Sequence, residues 1–123
     1  MTPRVMIVED NPDIRAALGE LLGAQGLDVT LADNGRDALD LLSGEPEPAW
    51  IVLDLVMPVM GGREFLQVLD AAGPHPPVTV LTALSYDAET RGIEERYGCR
   101  VLSKSTDIAV LVELARTFVG TAH

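Results

Sequence analysis

The chain has 123 residues, of which 47% are apolar, and its formal net charge is −10. This apolar content indicates a folded globular protein and argues against intrinsic disorder. The acidic charge disfavours binding to nucleic acid and to anionic membranes, and no apolar run approaches the length of a membrane span. We therefore expect a single domain over residues 1–123 that does not enter a membrane and to which basic partners are steered.

The single cysteine, Cys99, excludes an internal disulfide and favours the cytoplasm. The first apolar run starts at Val5, which leaves too little sequence before it for a signal peptide. No output domain is expected within these residues. The sequence does not decide whether the chain stands alone or is a piece of a longer protein.

Apolar periodicity and turn residues predict five strands that alternate with five helices. The strands are predicted at 5–8, at 27–31, in the apolar run that ends near Asp54, at 78–82 and at 100–103. The helices are predicted after a cap at Asn11, after a turn at 34–35, after the glycine pair 61–62, over 85–97, and from 108 to about 119 behind a cap at Asp107. Such alternation is typical of a parallel α/β sheet with helices on both faces.

The composition of the strands also predicts their order. Strands one, three and four are apolar throughout and belong inside the sheet, whereas strands two and five are mixed and suit its edges. This distribution fits the flavodoxin-like, doubly wound order 2-1-3-4-5.

Polar residues follow the apolar strands where the carboxyl edge of a parallel sheet is expected, and open α/β sheets bind ligands at that edge. A charge on Asp54, at the end of a buried run, is costly without a partner. Each residue also has an ordinary structural explanation, such as a turn, a helix lead-in, a solvated lysine or a β-branched strand residue. The candidates are Glu9, Asp10, Asp54, Thr82 and Lys104.

The order of these motifs resembles the receiver domain of bacterial response regulators, over residues 4–119. Any one motif is a weak signal, but together, in this order and at strand ends, they are specific. They are the acidic pair Glu9–Asp10, the segment 54–58, Gly62, the pair Thr82–Ala83, and Lys104.

The resemblance implies that Asp54 accepts a phosphoryl group from a histidine kinase or phosphotransfer protein. It also implies that Mg²⁺ is held chiefly by Asp10, with Glu9 alongside, by Asp54 and by the backbone carbonyl of Val56. Such a protein is a phosphoacceptor that catalyses its own phosphorylation and dephosphorylation only, and is not a conventional enzyme.

Elementary chemistry supports the same roles. An aspartate carboxylate can take a phosphoryl group covalently, and crowded carboxylates raise at least one pKa unless a cation joins them. The Lys104 ammonium supplies fixed positive charge, and the Thr82 hydroxyl can donate to a phosphoryl oxygen.

Two positions depart from the family pattern. Val101 stands where the family usually has an aromatic residue that moves between exposed and buried positions, and Ser105 stands where a proline commonly follows the lysine. A cis peptide before a residue other than proline costs about 2.5–4 kcal/mol, so none is expected here. The usual mechanism of signal output is therefore not predicted for this chain.

Two other functions are kept as alternatives. A Mg²⁺-dependent phosphohydrolase of the haloacid dehalogenase type needs a second acid two residues after the aspartate, where this chain has Val56. A receiver-like interaction module without phosphate chemistry is compatible with Val101 and Ser105, but such a module has no need of all five chemical residues.

The last predicted helix carries two apolar stripes. Ile108, Leu111, Val112 and Ala115 suffice to dock it on the sheet, and Val110, Leu114 and Phe118 form a second stripe. We expect the second stripe to need cover from a second copy or a downstream protein, unless it folds back onto the first helix.

Overall fold

The computed structural model describes residues 2–44, 46–83 and 87–120. Five strands and five helices alternate along these residues, as predicted. The strands are β1 (Arg4–Val8), β2 (Asp28–Ala32), β3 (Trp50–Leu53), β4 (Val78–Thr82) and β5 (Arg100–Ser103). The helices are α1 (Pro12–Gly23), α2 (Gly35–Gly44), α3 (Gly62–Ala71), α4 (Ala88–Tyr97) and α5 (Ile108–Gly120).

The strands form one parallel sheet in the order β2-β1-β3-β4-β5, which confirms the flavodoxin-like prediction. Strand β1 pairs with both β2 and β3, so that Val5 lies beside Val29 on one side and Trp50 on the other. The edge strands are less covered than the inner ones, and Leu31 of β2 keeps 44% of its surface exposed.

Successive residues of the inner strands enter two different cores because side chains alternate across a sheet. Met6 and Val8 of β1 belong to the core under α2, α3 and α4, which includes Phe65. Val5 and Ile7 belong to the core under α1 and α5. Helices therefore cover both faces, which leaves the strand ends as the accessible polar edge. None of the helices that the structure describes has the length and apolarity needed to span a membrane.

Asparagine side chains start two of the helices. Asn11 caps α1 as predicted, since its Oδ1 accepts the backbone N–H groups of Asp13 at 2.9 Å and Ile14 at 3.1 Å. The predicted turn at Asn34–Gly35 is wrong in detail. Gly35 is already helical, and Asn34 Oδ1 accepts the Asp37 N–H at 3.0 Å, so the pair begins α2.

Helix α4 is well capped at both ends, but few of its side chains are buried. Its start differs from the prediction: Ser85 lies outside the described residues, and the helix begins at Ala88 behind a capping box formed by Asp87 and Thr90. Gly98 ends the helix in the left-handed region, with φ of 66°. Only two residues of α4, Thr90 and Ile93, are buried. Helix α1 also buries two residues, but both are leucines and Ile14 packs against the same core, whereas Ile93 is the single buried apolar side chain of α4. We therefore expect α4 to exchange its amide hydrogens faster than α1.

Replacing Gly92 by alanine should stabilise α4. A Cβ at this position meets nothing within 4 Å, and alanine removes a backbone entropy cost of about 0.5–1 kcal/mol in a helix interior. Urea unfolding should show a gain of this size, and amide exchange of α4 should slow. The matched control is Gly98→Ala, which should lower stability because alanine disfavours a φ of 66°. A loss of stability in Gly92→Ala would contradict this account.

The second stripe of α5 is better covered than its sequence indicated. The Phe118 ring stacks on Trp50, with ring centroids 4.9 Å apart and planes 15° apart. Val110 and Leu114 are partly buried against the same core. Because Trp50 begins β3 and its indole N–H donates to Thr79 Oγ1 at 3.0 Å, its ring is held where the end of α5 can pack on it. The expectation that this stripe needs an external partner is therefore wrong for Phe118.

Candidate functional site at the carboxyl edge of the sheet

The carboxyl ends of β1, β3, β4 and β5 bring the candidate residues together. Glu9 directly follows β1, Asp54 follows β3, Thr82 ends β4 and Lys104 follows β5. Strands in a parallel sheet end at a common edge, so residues that are far apart in sequence meet there.

Asp54 is held by its own turn. Its backbone N–H donates to Val8 O at 3.0 Å and so extends the pairing of β3 with β1. Its Oδ1 accepts the N–H of Leu55 at 2.9 Å. The residue is only 7% exposed. One carboxylate oxygen is thereby fixed by the backbone, while Oδ2 faces the lysine.

Lys104 joins the acidic groups. Its Nζ donates to Glu9 Oε1 and lies 3.4 Å from Asp54 Oδ2, and all three side chains are less than one-fifth exposed. Its backbone N–H donates to the carbonyl oxygen of Thr82 at 2.9 Å, which extends the pairing of β4 with β5. A charged amine thus lies directly against the carboxylate of Asp54.

Burial and charge shift two pKa values in this cluster. Burial raises the pKa of Glu9, the charge of Asp54 adds to the rise, and the contact with Lys104 and the N–H of Asn11 offset only part of it. Burial acts to lower the pKa of Lys104, but its hydrogen bond to Glu9 and the charges of Asp54 and Glu9 outweigh burial and leave that pKa raised. Lys104 is therefore a cation at neutral pH. The pKa of Glu9 is raised chiefly by burial, and repulsion from the neighbouring carboxylate of Asp54 is the smaller contribution.

The carboxylates of Glu9, Asp10 and Asp54 form a compact donor set. One oxygen from each lies within 4.8 Å of the others, with Asp10 exposed and the other two buried. Mg²⁺ is bound through a few carboxylates plus water and phosphate oxygens, and three oxygens this close together fit that requirement.

Arg15 orders the acidic pair and was missed by the sequence reasoning. Its Nη1 donates to the carbonyl oxygens of Glu9 at 2.9 Å and Asp10 at 3.4 Å, and it lies 3.3 Å from Asp33 Oδ1. The sequence did contain a signal for this role of Arg15. A cation near the N-terminus of a helix is unfavourable with respect to the helix dipole, which indicates that it has another interaction.

The loop after Asp54 packs tightly onto the start of α3. Gly62 N–H donates to Leu55 O at 2.9 Å, and a Cβ on Gly62 would lie only 2.4 Å from the carbonyl oxygen of Asp54. Val59 in this loop has a φ of 68°. Val56, two residues after Asp54, is 58% exposed. Only glycine therefore fits at position 62 without displacing the backbone of Asp54.

Val101 and Ser105, the two departures from the family pattern, both lie within the described residues. Val101 is half-buried against the core under α4, and its N–H donates to Glu94 Oε2 at 3.1 Å. The described residues contain no cis peptide bond, so the link from Lys104 to Ser105 is trans, as expected.

The family sequence model of the response regulator receiver domain matches residues 5–116. The chain belongs to this family. The response regulator MprA of Mycolicibacterium vanbaalenii is 39% identical to this receiver over 83 residues, which are 68% of this chain and 36% of that protein. The chain thus matches little more than a third of that relative's length.

Solved receiver structures share the fold over almost the whole chain. The receiver domain of the Francisella response regulator 1452 has a TM-score of 0.85 at 25% identity, covering 99% of this chain and 100% of that one. The response regulator TrrA of Thermotoga maritima, solved in complex with Mg²⁺ and BeF, has a TM-score of 0.79 at 26% identity, covering 95% of this chain and 99% of that one. The solved structures therefore support the same fold as the strand order and the family assignment of this chain.

Proposed function

We propose that this receiver takes a phosphoryl group on Asp54 from a histidine kinase or phosphotransfer protein in a Mg²⁺-dependent reaction, and that the change alters its binding to partners. The single observation that carries the proposal is the convergence of a partly buried lysine and two further carboxylates on the carboxylate of Asp54. We also propose a cytoplasmic location, in keeping with such partners and with the unpaired cysteine.

The transfer conserves atoms and charge in a simple way. A carboxylate oxygen of Asp54 attacks the phosphorus of a phosphohistidine, a P–O bond forms, and the P–N bond breaks as the imidazole leaves with its electron pair and takes up a proton from solvent. The Lys104 ammonium, 3.4 Å from Asp54 Oδ2, stabilises the negative oxygens of the acyl phosphate. The Thr82 hydroxyl is proposed to donate to one of them.

The metal would be held by Glu9, Asp10 and Asp54, with the backbone carbonyl of Val56 as a fourth ligand implied by the resemblance. When bound, Mg²⁺ supplies positive charge to the oxygens of the transferring group. The residues themselves hold the acceptor carboxylate in place and keep it partly dry, since Glu9 is 2% and Asp54 7% exposed.

An apolar groove beside the site supports docking of a phosphodonor protein. It lies between α1 and α5, has a volume of about 440 Å³, and opens next to Lys104. An apolar groove at the mouth of a charged site is suited to a partner that must deliver its reactive group to the acceptor. Its lining residues are Ile14, Ala17, Leu18, Leu21, Leu81, Lys104 and Ile108.

Helix α5 is the other surface on which a partner could dock. A second copy or a downstream protein on α5 stays a hypothesis, now with less apolar surface behind it because Phe118 packs on Trp50. The half-buried Val101 favours an output mechanism other than aromatic switching.

Phosphate incorporation from a small phosphodonor, measured with and without Mg²⁺, tests the proposal against its alternatives. Stoichiometric, labile and Mg²⁺-dependent label on Asp54 is the expected result. Continuous turnover of the phosphodonor would favour a phosphohydrolase, which the valine at position 56 argues against. Absence of label under all conditions would favour a phosphate-independent interaction module.

Asp10→Asn should weaken Mg²⁺ binding by about tenfold and slow labelling, whereas Glu9→Gln should have a much smaller effect. Glu9 is already held by Lys104 and by the N–H of Asn11 at 3.2 Å, while Asp10 is exposed to the arriving ion. Calorimetric titration with Mg²⁺ measures both affinities. Asp13→Asn, an exposed acid in the first turn of α1, is the matched control. Equal affinities of the two site variants would reverse the ranking.

A further inference from the structure

Lys104 lies in a turn whose backbone is fixed by hydrogen bonds to neighbouring residues. The residue leaves β5 after Ser103 and precedes the start of α5 at Ile108. Its own N–H is bonded to Thr82 O, which fixes one side of the turn to the sheet. The other side depends on the residues around it, because position 105 is serine and not the proline that the family commonly has.

Three side chains close this turn. Asp107 Oδ2 accepts the N–H of Ser103 at 2.8 Å, and the N–H of Asp107 donates to Ser103 O at 3.0 Å. Ser103 Oγ accepts the N–H of Ser105 at 3.2 Å and lies 2.9 Å from Ser105 Oγ. We call Ser103, Ser105 and Asp107 the serine–aspartate clamp.

Asp107 forms hydrogen bonds both to α5 and to the end of β5. Its carbonyl oxygen accepts the N–H of Leu111 at 3.1 Å, as a residue before a helix does. Its carboxylate instead accepts the N–H of Ser103, at the end of the preceding strand. The side chain therefore links the end of β5 to the start of α5 across the lysine.

A clamp at this place has a direct effect on the site. Lys104 reaches Glu9 and Asp54 through a long, flexible side chain, so small shifts of its backbone become errors in the position of Nζ. Misplacement of a catalytic group by about 1 Å can cost up to about a hundredfold in rate.

We propose that Asp107, together with Ser103 and Ser105, is a positioning residue that sets the place of the Lys104 ammonium against Asp54. The proposal rests on the proposed phosphoryl transfer and adds to it residues outside the motifs that carry the resemblance. Removing the clamp changes neither the acceptor nor the metal ligands.

The test compares labelling rates of Asp107→Ala and Asp107→Asn with a small phosphodonor and Mg²⁺. The alanine variant should label about tenfold more slowly, whereas the asparagine variant should stay near the wild-type rate because its amide oxygen still accepts the Ser103 N–H. Asp37→Ala is the matched control, since it removes an exposed acid from the first turn of α2. A wild-type rate in Asp107→Ala would overturn the proposal.

Coupling to the lysine separates positioning from a structural role. In a Lys104→Gln background, Asp107→Ala should slow labelling by less than about twofold, because the group that it positions is already gone. The same tenfold loss in that background would also overturn the proposal. If Asp107→Ala does not fold, Ser103→Ala tests the serine part of the clamp, since it removes the hydroxyl that accepts the Ser105 N–H and keeps the bond from the Ser103 N–H to Asp107. A wild-type rate in that variant would reject the clamp. Failure of the wild-type protein to take label would reject the proposed function itself.

Discussion

Asp54→Asn should abolish phosphorylation while the protein stays folded. The amide is a poor nucleophile, yet its oxygen can still accept the N–H of Leu55, which now bonds to Asp54 Oδ1 at 2.9 Å. Lys104 keeps its contact with Glu9, so this partly buried cation still has a partner. Intact-mass measurement after incubation with a phosphodonor and Mg²⁺ should detect the phosphorylated species only in the wild type.

The matched control for this prediction is Asp40→Asn, an exposed aspartate on α2. It makes the same chemical change away from the carboxyl edge and should label like the wild type. Label on Asp54→Asn at the wild-type level would mean that another residue is the acceptor.

Gly62→Ala should have the largest effect on stability, a loss of about 3 kcal/mol. The added Cβ would lie 2.4 Å from the carbonyl oxygen of Asp54 and 2.8 Å from the Cα of Leu55. Both are backbone atoms, so no side-chain rotation can relieve the contact. Urea unfolding should show the loss, and labelling should fall as well because the relaxed backbone displaces the acceptor.

Gly44→Ala is the control, since a Cβ at the end of α2 meets nothing within 4 Å. Its stability should change by less than about 0.5 kcal/mol. Wild-type stability in Gly62→Ala would show that the loop after Asp54 yields more easily than its packing indicates.

The architecture could be predicted from the sequence because its signals are local and repeated. Apolar runs marked the inner strands, mixed runs marked the edges, and parallel pairing then required the polar residues after each run to meet at one edge. The cap at Asn11 is likewise a local signal, with proline following it.

Contacts that depend on exact register could not be predicted in this way. The bond between Lys104 and Glu9 joins residues 95 positions apart across the sheet. The stacking of Phe118 on Trp50 depends on how far α5 runs along the sheet, which periodicity does not reveal. Asn34 was assigned to a turn because its side chain serves turns and helix caps equally well.

The stacking of Phe118 on Trp50 gives the protein a built-in optical probe. Trp50 is its single tryptophan, its surroundings are dry, and its ring touches the last turns of α5. Its fluorescence therefore reports whether α5 stays docked. Trp50 begins β3 and Asp54 directly follows that strand, so the two residues lie about 13 Å apart along the chain. An emission change that accompanies phosphorylation would therefore report a rearrangement of the core around Trp50, at a distance from the carboxyl edge.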